Sequence, residues 1–303
     1  MPTRKHIDAI CIAATVLGIV LTILFINGSQ LGITTIVDAD AEANSDNTYF
    51  TANDLDGAWD TSDSTTITLA GTDATISGTG AYAYDGGVVI GRAGTYVISG
   101  ELTDGSITVD ADSSSKVWIL FNGVTVNCTD DACLIVDQAD KVFLTLAEGS
   151  ANALTSGATM SEAASEDNTD GAIFAHDDLT INGSGSLSIK ASYKHGISAN
   201  DDLVITGGNI TIEAPNDAIH ANDSLRSCNV TLTASAQDDG LAVDNDDAYI
   251  YLESGTYTIT ASDEGIVAPG DVTIVDGNYT IAVGTEQGCH GIKAGGTCTL
   301  IGG

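Results

Sequence analysis

The sequence predicts an all-β fold, a single-stranded parallel β-helix in which short strands wind through stacked coils. Six related openings, from Asp170-Gly-Ala to His290-Gly-Ile, begin at positions 170, 195, 217, 239, 264 and 290. Apolar and polar residues alternate between the openings, Gly- or Asp-rich turns interrupt them, and no stretch beyond residue 30 has a strong helical periodicity. An immunoglobulin-like sandwich also has short strands, but these would not repeat one motif at one spacing. We therefore predict a solenoid with coils of roughly 22–26 residues, a spacing typical of repeat architectures.

The N-terminal region carries a membrane signal. Residues 9–26 are an uncharged apolar run that follows Arg4 and Lys5. At about 1.5 Å per residue, such a helix spans most of the roughly 30 Å hydrocarbon core of a bilayer. Basic residues before it and an acidic chain after it place the N-terminus inside and the rest outside the cell. We predict a signal or membrane anchor over residues 1–30, a linker over 31–50 and a β-helix domain over 51–303.

Whether the membrane helix is retained decides between two locations. The apolar run is longer than a usual signal-peptide core, which favours an uncleaved anchor, although Ala39 and Ala41 would suit cleavage. We therefore expect an extracellular protein that is attached to the cell surface or, after cleavage, secreted.

Two departures from the regular period stand out along the chain. The interval from Asp131 to Asp170 is much longer than one coil, so we expect a polar loop, roughly residues 147–169, to project from one coil. Such a loop is either a wall of a binding cleft or a tolerated insertion. The sequence ends with TCTLIGG, half a coil after the last opening, which predicts a further C-terminal region or a partner chain at the open edge.

The charge of the chain excludes one class of partner. Nine Lys and Arg stand against 42 Asp and Glu, giving a formal net charge of −33. Such a surface repels DNA, RNA and anionic lipid, so we predict no nucleic-acid binding and membrane contact only through the N-terminal helix. Five of the six cysteines follow the apolar run, and an odd number cannot all pair within the chain. We expect free buried thiols, although Cys128 with Cys133 or Cys289 with Cys298 could bridge.

Stacked acidic residues predict a calcium site. Successive coils repeat acids at the openings and again at the turn after the first strand of each coil, about 4.8 Å apart, where they repel unless a cation neutralises them. Ca²⁺ accepts six to eight oxygen ligands in a forgiving geometry, whereas clustered His and Cys, which zinc prefers, are scarce. Capping of a turn is the alternative for any single acid. The six candidate calcium ligands are Asp201, Asp202, Asp217, Asp223, Asp238 and Asp239.

Three stretches of the chain resemble a known family. These are LTLAEGSANALTSG (144–157), DGAIFAHDDLTINGSGSLSI (170–189) and HGISANDDLVITGGNITIEAPNDAIHANDSL (195–225). They are similar to the bacterial extracellular carbohydrate-binding β-helix family, whose members bind cellulose and acidic sugars and have a fold like that of calcium-dependent pectate lyases. The resemblance covers roughly residues 50–303 and is strongest over 140–280. It implies a right-handed parallel β-helix, bound Ca²⁺ and binding of plant cell-wall polysaccharide without an established catalytic role.

The negative charge also bears on the sugar. An acidic sugar such as galacturonate is repelled by this surface unless Ca²⁺ bridges a protein carboxylate to a uronate carboxylate. Neutral glycans such as cellulose stack on exposed aromatic rings, but aromatic residues are only 5% of the chain, and packing is the main alternative for Tyr249 and Tyr251, which share a strand face. We interpret the recurrent histidines, including His290, as turn residues or sugar contacts rather than a metal trio. The candidate carbohydrate-binding residues are Tyr193, Lys194, His195 and His220.

We therefore predict a non-catalytic, calcium-dependent binding protein for plant polysaccharide, either acidic (polygalacturonate) or neutral (cellulose). A pectate-lyase-type enzyme is one alternative, since such a lyase uses Ca²⁺ and a Lys or Arg as base. Lys194 is the best placed of the seven basic residues beyond the anchor, but no second basic residue accompanies it. A surface adhesin or stalk that calcium only stiffens is the third interpretation.

Overall fold

A computed structural model describes residues 49–84 and 86–302 of the chain. The predicted membrane helix and residues 31–48 of the predicted linker lie outside the described residues. Within the described part of the chain, no helix is both long and apolar enough to cross a membrane.

Strands account for nearly all the regular structure, as the alternating sequence predicts. Two short helices, α1 (Ala52–Leu55) and α2 (Glu162–Glu166), are the helical elements of the described residues. In chain order the strands are β1 (Thr65–Gly71), β2 (Asp73–Ser77), β3 (Ala81–Tyr84), β4 (Gly87–Ile90), β5 (Gly94–Leu102), β6 (Ser106–Asp110), β7 (Lys116–Cys128), β8 (Leu134–Gln138), β9 (Lys141–Leu146), β10 (Ala151–Ser156), β11 (Gly171–Ala175), β12 (Asp178–Gly183), β13 (Ser186–Lys190), β14 (His195–Ala199), β15 (Asp202–Ile205), β16 (Asn209–Ala214), β17 (Ile219–Ala221), β18 (Ser224–Ser227), β19 (Val230–Ala236), β20 (Leu241–Val243), β21 (Tyr249–Leu252), β22 (Gly255–Thr260), β23 (Ile266–Ala268), β24 (Val272–Ile274), β25 (Asn278–Ala282), β26 (Ile292–Ala294) and β27 (Cys298–Leu300).

The strands form a 17-stranded and a 10-stranded sheet that enclose one core. Each regular coil gives one strand to the 10-stranded sheet and two to the 17-stranded sheet, as β14, β15 and β16 do. Two hairpins near the N-terminal end, β1–β2 and β3–β4, are antiparallel, and the other described pairings are parallel. The predicted parallel β-solenoid is therefore confirmed, with about eight turns.

The register of the 10-stranded sheet reproduces the predicted period almost residue for residue. Paired residues in successive coils are separated by 24, 22, 22, 25 and 26 positions, as in Ile197 opposite Ile219. The first spacing is one shorter than the openings suggest because Gly171, not Asp170, pairs with His195. The opening at residue 170 is therefore displaced by one position from the later ones.

Alternating side chains explain why the coils stack. In β16, Ile210 and Ile212 point into the core while the residues between them face outward. Both isoleucines are fully buried, and they lie in register with Leu187 and Ile189 of the preceding coil. Full burial of such a side chain stabilises the fold by about 1.5–3 kcal/mol. A single coil cannot bury these side chains alone, so each one depends on its neighbours.

The segment before Asp170 that we predicted to be a loop is partly a strand. Residues 151–156, which we expected in a projecting polar loop, form β10, a regular strand that pairs with β7 and β13. The insertion begins at Gly157 and contains α2, where the Ser161 side chain caps the helix and Ala164 is buried. The prediction was wrong over this first part because alternation in ANALTS is masked by small and polar residues.

Residues 49–57 form an N-terminal strap across the outer face of the 17-stranded sheet. The Asp54 carboxylate is fully buried, with its Oδ1 2.9 Å from Lys141 Nζ of β9, and it accepts a hydrogen bond from Thr180 Oγ1 of β12 at 2.6 Å. Phe50 packs at the other end of the strap in a cluster that includes Tyr251 of β21. Residues 49 and 50, assigned to the linker from the sequence, therefore belong to the packed domain.

Candidate functional site

The openings of successive coils stack into one column of polar residues, which we call the opening ladder (residues 170, 194, 195, 217, 238, 239, 263, 264 and 290). Backbone hydrogen bonds hold it: His195 N donates to Asp170 O at 2.8 Å, and Ala218 N donates to Asp239 O at 3.0 Å. The ladder lies where the third strand of one coil turns into the first strand of the next. Repetition of the opening motif thus places acids and histidines on neighbouring rungs.

His195, Asp217 and His220 form a compact group on this ladder, the HDH cluster. Asp217 Oδ2 lies 3.2 Å from His195 Nδ1 and 3.1 Å from His220 Nδ1. The two imidazole rings are stacked, with centroids 4.5 Å apart. The other carboxylate oxygen of Asp217 accepts a hydrogen bond from Asp239 N at 3.0 Å. Both carboxylate oxygens of Asp217 therefore have partners, the two imidazoles at Oδ2 and a backbone N–H at Oδ1.

In the HDH cluster the Asp217 carboxylate and the His220 imidazole stabilise each other's charged forms. Burial by itself disfavours the Asp217 carboxylate, but its contacts with His195 and His220 hold the pKa of Asp217 well below the usual range. Burial likewise disfavours a charged His220, yet Asp217 and Asp244 raise the pKa of His220 above its usual value. The carboxylate thus remains ionised between two imidazoles.

A second group on the ladder offers oxygen ligands only. Carboxylate oxygens of Asp238, Asp239 and Asp263, the triple-acid cluster, lie within 4.8 Å of one another. Burial, together with the charges of Asp217 and Glu264, raises the pKa of Asp239 to about 7. The charge of this group is therefore poorly compensated. These two groups, the HDH cluster and the triple-acid cluster, are the compact arrays of three potential metal ligands among the described residues.

The six predicted calcium ligands fall at two separate corners of the solenoid. Asp217, Asp238 and Asp239 belong to the opening ladder. Asp201 and Asp223 lie at the opposite end of the first strand of each coil, where burial and the neighbouring carboxylates raise the pKa of Asp201. The two acidic stacks expected from the sequence, one at the openings and one at the turns after the first strands, are thus separated by strands such as β17.

Asp202 has protein partners of its own. Its Oδ2 lies 2.5 Å from Arg226 Nη2, and its Oδ1 accepts a hydrogen bond from Ser224 Oγ at 2.6 Å. Arg226 also donates to the backbone oxygen of Tyr49 at 3.1 Å. Asp202 therefore helps to hold the N-terminal strap. The assignment of individual residues as calcium ligands stays a prediction.

The predicted sugar contacts differ in accessibility. Lys194 is exposed and Tyr193 is half-buried, with Lys194 Nζ 3.4 Å from Asp170 Oδ2 and 5.8 Å from the Tyr193 ring centroid. His195 is only 6% exposed, so a sugar would meet its neighbours rather than its ring. His220 is partly exposed, and His290 lies apart from both, with its Nδ1 3.6 Å from Glu264.

A surface that sequence reasoning missed is the tyrosine groove, a depression of about 440 Å³ beside the strap. Tyr49 stacks on Tyr251 with ring centroids 3.6 Å apart, and Tyr249 meets Tyr49 edge-on at 6.2 Å. The sequence places Tyr249 and Tyr251 on one strand face, but the strap, which supplies Tyr49, is far away in the chain. The acids lining the groove are Asp246, Asp247 and Asp271.

Three comparisons bear on the identity of the chain. A family model described as "Carbohydrate-binding domain-containing protein" matches residues 84–303. A relative from Acetivibrio thermocellus with the same description is 33% identical over 211 residues, which cover 68% of this chain and 74% of the relative. A solved structure, the gadolinium derivative of a polysaccharide lyase-like protein from C. thermocellum, is 28% identical with a TM-score of 0.73, and the match covers 78% of this chain and 96% of that one. These similarities support a carbohydrate-binding or lyase-like role.

Proposed function

Since this chain belongs to the family of carbohydrate-binding domain-containing proteins, we propose that it binds acidic plant polysaccharide, such as polygalacturonate, in a calcium-dependent and non-catalytic manner. The observation that carries the proposal is the triple-acid cluster, an oxygen-only array on the surface of the opening ladder. We also propose, from the sequence, that the protein is exported and held at the cell surface by residues 9–26.

The chemistry of the triple-acid cluster suits calcium. Ca²⁺ prefers carboxylate and carbonyl oxygens and tolerates irregular geometry. Asp238, Asp239 and Asp263 supply carboxylates from two neighbouring coils. Burial and then the neighbouring negative charges raise the pKa of Asp239, and a cation would offset those charges. A bound calcium ion would attract a uronate carboxylate to this otherwise repulsive surface.

The rest of the ladder suits a polymeric ligand. Asn216 N donates to Lys194 O at 2.9 Å, and Asp238 N donates to Asn216 O at 3.3 Å, so Lys194 and Asp238 stand on one column two coils apart. Coils repeat about every 4.8 Å. A glycan lying along the column would therefore present successive sugars to successive coils. The exposed Lys194 ammonium, which also contacts Asp170, could meet a second uronate carboxylate there.

The proposal is tested by retention of the protein on immobilised polygalacturonate with Ca²⁺ and then with a chelator. We expect retention with Ca²⁺ and release by the chelator. The double variant Asp239→Asn with Asp263→Asn should lose retention, whereas Asp112→Asn, at an exposed acid elsewhere, should behave like the parent. Equal retention of all three proteins with chelator present would contradict the proposal.

The tyrosine groove favours a second ligand, a neutral glycan such as cellulose. Sugar rings stack on aromatic faces, and the acids of the groove could accept hydrogen bonds from sugar hydroxyls. Replacement Tyr249→Ala should weaken retention on cellulose by about 2- to 10-fold, the equivalent of one aromatic contact of about 0.5–1.5 kcal/mol. Tyr82→Ala, at an exposed tyrosine of the N-terminal hairpins, is the control. Unchanged retention of the Tyr249 variant would remove the groove from consideration.

A lyase and a stalk remain as alternative outcomes of the same experiment. The eluate from polygalacturonate is assayed for unsaturated sugar products. Products that disappear in Lys194→Ala would assign a catalytic base and replace the binding proposal by a lyase. No retention on either matrix, together with unfolding that is sensitive to Ca²⁺, would instead indicate a calcium-stiffened surface stalk.

A further inference from the structure

We propose that the HDH cluster is a binding site for a divalent transition-metal ion of the Zn²⁺ type, distinct from the triple-acid cluster. Its three donors would be His195 Nδ1, Asp217 Oδ2 and His220 Nδ1. These residues come from two successive coils, so a bound ion would join one coil to the next. The sequence period explains how they meet, because His195 and Asp217 stand at the openings of successive coils.

The spacing of the donor atoms suits a tetrahedral ion. Asp217 Oδ2 lies 3.2 Å from His195 Nδ1 and 3.1 Å from His220 Nδ1, and donor atoms of all three residues lie within 4.8 Å of one another. Ligands at about 2.0–2.1 Å from zinc in a tetrahedron stand about 3.3 Å apart. The ion would lie between Asp217 Oδ2 and the two Nδ1 atoms.

An unpartnered buried atom points independently to a missing ligand. His195 is 6% exposed, and its Nδ1 has no hydrogen-bond partner of normal geometry, although it faces Asp217. A buried polar atom without a partner is unfavourable. A metal ion bound to this nitrogen would supply the missing partner, and the same ion would also contact the carboxylate of Asp217.

The surroundings of the two imidazoles match those of metal-binding histidines. Such histidines usually direct their second ring nitrogen to a carboxylate, which sets the tautomer and strengthens the ligand. His195 Nε2 faces Asp170 Oδ2 at 3.8 Å, and His220 Nε2 faces Asp244 Oδ2 at 3.6 Å. Asp217 is likewise fixed through its Oδ1 by the backbone N–H of Asp239. Each imidazole thus has a carboxylate near its second nitrogen, at a separation slightly longer than a hydrogen bond.

The donor set selects the class of ion. Two imidazole nitrogens and one carboxylate suit Zn²⁺, Co²⁺ or Ni²⁺, whereas Ca²⁺ prefers oxygen ligands throughout. Three protein ligands leave a fourth tetrahedral position for water or an incoming ligand. His220 lies partly at the surface, so this position is reachable from solvent.

The test uses the full chain, stripped with a chelator and returned to buffer with excess Ca²⁺ to fill oxygen-rich sites. Co²⁺ is titrated while visible absorption is recorded, and Zn²⁺ binding is measured by calorimetry. We expect intense absorption bands of tetrahedral Co²⁺, displaced by Zn²⁺, and one Zn²⁺ equivalent that excess Ca²⁺ does not displace.

Variants locate the site. His220→Asn and Asp217→Asn should each weaken Zn²⁺ binding at least about 10-fold, and His290→Asn, at an exposed histidine of the same ladder, should not. His220 is more exposed than Asp217, so His220→Asn is the milder change, and circular dichroism shows whether each variant keeps the fold. Absence of Zn²⁺ binding to the parent, or equal binding by the folded His220 variant, would overturn the proposal. Retention of the parent protein on polygalacturonate with Ca²⁺, measured without Zn²⁺, separates failure of the metal proposal from failure of the proposed function.

Discussion

Removal of the Asp54 carboxylate should release the N-terminal strap. Asp54 is fully buried and Lys141 is 9% exposed, with 2.9 Å between carboxylate oxygen and ammonium nitrogen. In Asp54→Ala the Lys141 charge would stay buried without its ion-pair partner, a loss that costs about 3–5 kcal/mol. One half of the capping box disappears as well, because Asp54 Oδ2 accepts hydrogen bonds from the backbone N–H and hydroxyl of Thr51, whereas the Thr51 hydroxyl can still accept from the backbone N–H of residue 54. This loss adds up to about 1 kcal/mol.

The free energy lost in Asp54→Ala cannot exceed the free energy with which the strap docks on the sheet. If the penalty exceeds the free energy of docking, the strap leaves the sheet and Lys141 returns to water. Docking includes burial of Phe50, about 2–3 kcal/mol for a side chain of this size, and stacking of Tyr49 on Tyr251, about 0.5–1.5 kcal/mol. We therefore expect the free energy of unfolding to fall by about 3–5 kcal/mol, which lowers Tm by about 6–20 °C in a domain of this length.

Two assays check the reasoning about the strap. Denaturant unfolding measures the free energy, and limited proteolysis measures whether residues 49–57 have left the sheet. Asp56→Ala, an exposed acid in the same strap, is the matched control and should change stability by less than about 0.5 kcal/mol. A variant Asp54→Ala with parental stability and parental resistance to protease would refute the buried ion pair as the anchor of the strap.

Three further results are expected. Burial opposes ionisation of Asp54, but Lys141 lowers the pKa of Asp54 in the folded state. The contribution of Asp54 to stability should therefore be present above about pH 3.9, the unfolded value, and be lost as pH falls through the folded pKa. The difference in unfolding free energy between parent and Asp54→Ala should then shrink in acid, and a constant difference would contradict this. Ile219→Ala, at a fully buried rung, should cost about 2–5 kcal/mol in denaturant unfolding, whereas a comparable loss in the outward-facing control Thr211→Ala would undermine the inside–outside assignment. Gly183 has φ +92, and a Cβ there would clash with the backbone oxygen of Leu146, whereas Gly123 has φ +78 and open space around it; Gly183→Ala should therefore lower Tm more than Gly123→Ala, and equal shifts would mean that left-handed backbone strain alone, about 1–2 kcal/mol, sets the cost.

The solenoid could be predicted from the sequence because the core requires apolar residues at the same position in every coil, so the apolar pattern repeats at the coil period. Ile197, Ile219 and Leu241 stack in register, and each needs an apolar residue one coil away. The same register stacks the acids of the openings, so the polar ladder was predictable as well. Its division into an HDH cluster and a triple-acid cluster was not, because it depends on side-chain directions at each rung.

The sequence by itself determined the architecture of this protein: a stack of β-coils, a strongly acidic outer surface and a column of Asp and His at the openings. Local alternation and a repeated spacing suffice for these features, since each coil contacts only its neighbours. Tertiary structure alone decided which groups became partners across long separations. Asp54 meets Thr180 across 126 positions, and Tyr49 joins Tyr251 in the tyrosine groove. No period links such residues, because the strap runs across the coils rather than along them, and its contacts arise only when the finished sheet presents Lys141 and Tyr251 on one face.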